Sequence, residues 1–144
     1  MEELLELKEY LEQQRYAEAL ALIGEMEEMS RDDKINKIYS YTVILLLHLI
    51  KQQAEKRSTR SWEFSIWNAA HEIQRINKRR KTGGHYLESA DLVEILDEAF
   101  PTALKKATLE AFEGRYEAEQ LISFFDPERI KQQALDMLLQ EQSQ

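Results

Sequence analysis

The stretch Ile38-Tyr39-Ser40-Tyr41-Thr42-Val43-Ile44-Leu45-Leu46-Leu47-His48-Leu49-Ile50 is the longest nearly apolar run in the chain. At 13 residues it is too short to span a bilayer, which needs about 20. It reads as a helix buried within a protein. Ile35, Ile38, Thr42, Leu46 and Leu49 mark one face, Val43, Leu47 and Ile50 the next, and Ile44 and Leu45 fill the remainder. A helix that is apolar all round is covered on all sides, so this segment is expected to be the centre of the fold.

Outward from it, apolar spacing at three and four residues continues in both directions. Leu4, Leu7 and Leu11 form a stripe over 2–13. Leu20, Leu22, Ile23, Met26 and Met29 give a second helix from Tyr16 to Met29, after a corner at Gln14-Arg15. Ser30 with Asp33 resembles a capping box, which predicts a new helix from about Arg31 to Glu55. Past the polar corner 56–59, Trp62, Ile66, Ala69, Ile73 and Ile76 keep an inward stripe over 60–81. Gly83-Gly84 is the expected C-cap. Ser89 is the expected N-cap of a helix carrying Leu92, Leu96, Ala99, Ala103 and Ala107. Pro101 predicts a kink or break after Phe100, and Gly114 ends that stretch. A short helix over 116–124 follows, and Asp126-Pro127 opens a last one with Ile130, Ala134, Met137 and Leu138.

The expected fold is therefore all-α: an antiparallel bundle of five to seven helices around the central buried helix. It is read as one domain, 1–144, made of an N-terminal hairpin 1–29, a central hairpin 31–82 and C-terminal helices 87–140. Composition agrees. Only four Gly and two Pro occur in 144 residues, and no β-hairpin signal is present. With 43% hydrophobic and 32% charged residues the chain is globular rather than disordered. It has no cysteine, which excludes disulfides, thiolate zinc sites and a thiol nucleophile. With no signal-like start and no membrane span, the expectation is a cytoplasmic protein away from the membrane.

Charge is unevenly laid out. Residues 1–33 carry a net −8, residues 34–82 a net +8, and residues 83–144 again −8. Either the basic middle pairs with its own acidic flanks, or it meets an anionic partner.

Arg15-Tyr16, Glu18-Ala19-Leu20, Met29-Ser30, His48-Leu49-Ile50-Lys51, Glu55, Arg57, Ser61-Trp62 and Ser65-Ile66 occur in order. Together they resemble the short cyanobacterial branch of domain-of-unknown-function family 29, most closely over residues 10–80. The resemblance implies an all-helical bacterial protein of the cytoplasm and implies no activity. Longer members carry a Tyr/Asp/Trp-bearing segment at their start that this chain lacks. A different placement of its N-terminal hairpin is therefore expected. Separately, Tyr16–Leu20 resembles the second helix of a tetratricopeptide unit, but no copy stands about 34 residues later.

Enzyme signatures are absent: no GxSxG, P-loop, GxGxxG or HExxH. No cofactor is expected. His48 and His71 with Glu55 or Glu72 could hold a metal, although the spacing is not that of a metal motif. The ordinary alternative is a core histidine bonded to a neighbour. Arg57, Arg60, Ser61 and Trp62 form a candidate anion or partner corner, since arginine forks suit carboxylate or phosphate. The same residues could equally be a helix cap with an anchoring indole, an arginine pairing with Glu27 or Glu28. Trp67 and Phe64 lie off the inward stripe and widen the apolar surface, which suits a partner. Arg75, Lys78, Arg79, Arg80 and Lys81, within the basic segment 51–81, are candidate nucleic-acid contacts. They could also simply complement a helix C-terminus. The leading expectation is a protein–protein interaction or assembly module, a homo-oligomer included. Nucleic-acid binding is the alternative.

Overall fold

The computed structural model describes residues 2–79 and 83–140. It is all-helical, with α1 (Glu2–Glu12), α2 (Tyr16–Glu55), α3 (Arg60–Asn77), α4 (Ser89–Glu110), α5 (Ala118–Leu121) and α6 (Pro127–Gln140). Short 3-10 turns cover Ala111–Gly114 and Ile122–Phe124. The chain divides into two compact units, Met1–Asn36 and Lys37–Gln144.

In the first unit α1 turns into α2 through Gln14, whose φ of 60° is the left-handed turn a short corner needs. Ala19 and Leu22 are buried here. The leucine stripe of α1 is not. No residue of α1 is buried, and Leu4, Leu5 and Leu11 are 54%, 63% and 48% exposed. Leu20 and Met29, expected inside, are exposed as well.

The expected corner at Ser30 is absent, because α2 runs unbroken for 40 residues. No proline interrupts it, and Ser30 and Asp33 are exposed. Their side chains offer a cap, but a capping residue alone does not end a helix whose backbone ladder can continue. Gly24 also lies within this helix, and a Cβ there would meet no atom within 4 Å.

The second unit forms around the distal half of α2. Val43, Leu45, Leu46, Leu47, Leu49 and Ile50 are buried, with Leu45, Leu46 and Ile50 fully so. The helix is nevertheless not covered evenly. Tyr41, Ile44, His48, Gln52 and Glu55 make one half-buried stripe. The expected inward residues of α3 hold, with Ile66, Ala69 and Ile73 buried. So do Leu92, Leu96, Ala99, Ala103 and Ala107 on α4, and Ile130, Ala134 and Leu138 on α6. Tyr39 of α2 shares a 3.0 Å hydrogen bond with Thr102 of α4. Gln74 of α3 donates to the carbonyls of Met137 and Leu138 at the end of α6, at 3.1 and 3.2 Å.

Three boundaries differ from the sequence reading. First, α4 passes through Pro101 without a break. The ring is exposed, and the buried stripe on the opposite side spans both sides of it, which offsets the lost hydrogen bond of a mid-helix proline. Second, α4 is capped from Glu88, whose N–H donates to Asp91 Oδ2 at 3.0 Å, rather than from Ser89.

Third, α3 ends at Asn77, not at the glycines. Asn77 is fully buried. Its amide donates to the Leu87 carbonyl at 3.0 Å and accepts from the Leu87 N–H at 2.7 Å. The chain turns extended at Lys78, which bridges to His85, and the Arg79 N–H meets the Gly84 carbonyl at 3.0 Å. Gly83 and Gly84, at φ of 74° and 72°, serve this returning loop.

Two stability predictions follow from these placements. Asn77→Ala leaves the Leu87 N–H and C=O buried without partners, and should cost about 2–4 kcal/mol in urea unfolding with an unchanged m-value. Gly24→Ala should raise the unfolding free energy by up to about 1 kcal/mol, read as a higher urea midpoint, because the helical site is open and glycine is the weaker helix former.

Candidate functional site

The corner between α2 and α3 begins with Lys56 at a φ of 58°, its N–H bonded to the Gln52 carbonyl at 3.0 Å. Thr59 then caps α3, its hydroxyl accepting from the Trp62 N–H at 3.1 Å. Gln52 reaches across to the Ser58 hydroxyl at 2.7 Å. This places the half-buried Trp62 indole between side chains of the preceding turn. Lys51 Nζ and Arg57 Cζ each lie 4.6 Å from its ring centroid. Two cations therefore use the negative charge of one π face system.

Lys51 is buried, and its ammonium donates to Glu110 Oε1 of α4 at 2.9 Å. Arg57 bonds Glu55 Oε1 at 3.1 Å, so its acid is a near neighbour and not Glu27 or Glu28. Of the candidate corner residues, Arg57 and Trp62 are thus held together. Arg60 and Ser61 are exposed, and among the described residues their side chains make no hydrogen bond or ion pair. Lys51 and Glu110 were not singled out as a pair from sequence. The one signal was a lysine directly ending the apolar run.

A different face of α3 carries Phe64 and Trp67, 61% and 56% exposed. Trp67 and His71 stack in near-parallel planes, 8° apart with centroids at 5.0 Å, and Phe64 lies 6.0 Å from Trp67. Helical spacing puts Arg60 and Arg75 at the two ends of this array. Arg75 is engaged by Glu72, Nη2 to Oε2 at 2.7 Å and Nε to the same oxygen at 3.2 Å. The Arg75 hydrogen bond holds the Glu72 carboxyl below the usual carboxylate range.

Of the basic candidates, Arg75, Lys78 and Arg79 are among the described residues, and all three are exposed. Arg79 sits 5.5 Å over the Tyr86 ring. Arg80 and Lys81 lie outside the described residues. Nor does the basic middle pair wholly with the acidic flanks: Lys51 reaches Glu110, whereas Arg57 and Arg75 pair within the middle itself.

The histidines are apart in role. His48 Nδ1 donates to the Ile44 carbonyl at 2.8 Å, the bonded core histidine of the simpler reading, and His71 belongs to the aromatic array. His85 is half-buried in the loop. Among the described residues no group of three metal-ligating side chains occurs, and neither Ser61 nor Ser65 bonds a histidine. Two shallow depressions lie along α6, sharing Gln133 and Asp136. Of the remaining aromatics, Phe100 is buried. Phe112, Tyr116 and Phe124 make a cluster with centroids 5.0–5.2 Å apart.

The Lys51 arrangement predicts an asymmetry. Glu110→Ala strands a buried ammonium and should cost about 1–2 kcal/mol, reduced from a fully buried pair because Glu110 is partly in water. Lys51→Met removes the charge together with its need for a partner, and should cost less than about 1 kcal/mol. Urea unfolding of the two single variants measures both.

Among the described residues no helix is long and apolar enough to cross a membrane. Comparison with curated proteins and with solved structures yields no match. A family model described as Domain of unknown function DUF29 matches residues 3–124, which takes in α1 through the turn after α5. With most of its length matched, the chain belongs to the DUF29 family.

Proposed function

We propose that this protein is a protein-docking module whose contact face is the Phe64–Trp67–His71 array on α3. The observation that carries the reading is the exposure of two large aromatic side chains, side by side, on a helix whose inward stripe is complete without them. Clustered exposed aromatics are what partner surfaces use as anchors, because each removes much apolar area from water at low entropic cost. Around the array α3 carries both signs of charge, Arg60 and Arg75 against Glu63 and Glu72, so apolar area rather than net charge is what a partner would recognise.

The test is capture of partners by the full chain from lysate treated with nuclease, alongside the variant Phe64→Ser/Trp67→Ser. The expected result is a protein retained by the parent chain and lost with the variant, while the circular dichroism of the two is the same. Capture unaffected by the double substitution overturns this face. Capture that disappears on nuclease treatment alone favours nucleic acid at the basic segment instead.

A further inference from the structure

Resting on the docking reading, we infer that His71 makes the α3 face pH-sensitive: as a neutral imidazole it completes an apolar surface, and as an imidazolium it opposes docking. Phe64, Trp67 and His71 are all exposed, and their spacing sets them along one side of the helix. Whatever covers the first two therefore meets the third. His71 is part of the array itself, since its ring lies on the Trp67 indole, 8° from parallel with centroids 5.0 Å apart.

Imidazole is the ordinary side chain whose charge changes between about pH 5 and 8, which neither phenylalanine nor tryptophan can do. The stack accommodates both forms. A neutral ring lies on the indole as one flat aromatic surface on another, and a protonated ring is drawn to the π face. Protonation thus alters the charge of the face while its outline is kept. What changes is the cost of covering it, because taking a charged ring out of water costs far more than taking out a neutral one. The docked state binds fewer protons than the free state. Docking is therefore strongest at high pH and weakens as pH falls, by at most tenfold per pH unit for one imidazole.

The charges around His71 leave this effect in place. On α3 its neighbours are Glu72 and Arg75, which are joined to each other at 2.7 Å. The Arg75 hydrogen bond is the main influence lowering the Glu72 pKa, and His71 acts in the same direction after it. Arg60 and Glu63 stand about three and two turns earlier on the helix. From α2 the Tyr41 phenol acts on Arg75. α6 meets α3 where Gln74 bonds the carbonyls of Met137 and Leu138. On α6, Lys131 is taken up by Asp97 and Glu128, and Asp136 by Gln132.

The experiment uses the untagged full chain, His71→Gln and Phe64→Ser/Trp67→Ser, with circular dichroism at each pH to check that the fold is kept. The first readout is tryptophan emission, since an imidazolium stacked on an indole quenches it and a neutral imidazole does so far less. Trp67 is one of 2 tryptophans, so the parent chain should lose up to about half of its emission between pH 8 and 5.5, and His71→Gln should not. The second readout is retention on a phenyl resin at constant ammonium sulfate, with the resin as the apolar probe. Parent and His71→Gln should elute together at pH 8. At pH 5.5 the parent should elute earlier, with a retention factor at least about twofold lower than that of His71→Gln at the same pH.

An emission step that is missing from the parent or that persists in His71→Gln overturns the inference, and so does equal retention of the two chains at pH 5.5. In those cases the docking reading stands if Phe64→Ser/Trp67→Ser lowers retention at pH 8. Retention at pH 8 unaffected by that double substitution removes the array as an apolar contact, and both readings fall.

Discussion

Val43, Leu45, Leu46, Leu47, Leu49 and Ile50 leave water together on about two turns of α2, and the second unit is organised by covering them. Burying side chains of this size is worth roughly 1.5–3 kcal/mol each, so this one segment supplies a gross stabilisation on the order of 10 kcal/mol, an upper figure because unfolded chains are partly collapsed. The stripe left half-buried is also the polar one. Tyr41, His48, Gln52 and Glu55 share it with Ile44, and His48 satisfies its ring locally on the Ile44 carbonyl. The helix can thus be central without carrying an unpaired polar group into the interior.

The same constraint explains Lys51. Immediately after the apolar run the chain is still inside, yet this residue carries a charge. The ammonium finds Glu110 on one side and the Trp62 indole on another. That pins the start of α3 and the end of α4 to α2 at a single point. A buried ion pair is weak evidence of stability but good evidence of a fixed arrangement. The residues of the family resemblance, from His48 to Trp62, are largely those that build this point. Much of what the sequence resemblance marks around Trp62 is therefore the joint between α2 and α3.

The inward faces were legible from spacing alone, because each helix of the second unit has one strongly apolar side. The stripes on α3, α4 and α6 came out as read. What spacing could not tell was where a potential signal is overridden. Ser30 had the chemistry of a cap and Pro101 that of a breaker, and both lie inside continuous helices. Asn77 ends α3 ahead of the glycines through a bond to Leu87, ten residues on, a tertiary pairing that no local pattern displays. On α1 spacing misled, since its leucines form a clean stripe yet remain exposed. Amphipathic spacing states that a helix has an apolar face; it does not state what covers it.

That distinction bears on how the surface can be understood. The core of the second unit is closed with Ile66, Ala69, Ala70 and Ile73 as the contribution of α3. Phe64 and Trp67 add nothing to it from the opposite side, and exposed aromatics at this density do nothing for solubility. Nor is the array needed for helix formation, since Phe and Trp are only middling helix formers. Folding stability and this face are therefore separable: polar residues at 64 and 67 would leave the buried stripe of α3 unchanged. The fold of the second unit does not require the array, and solubility disfavours it.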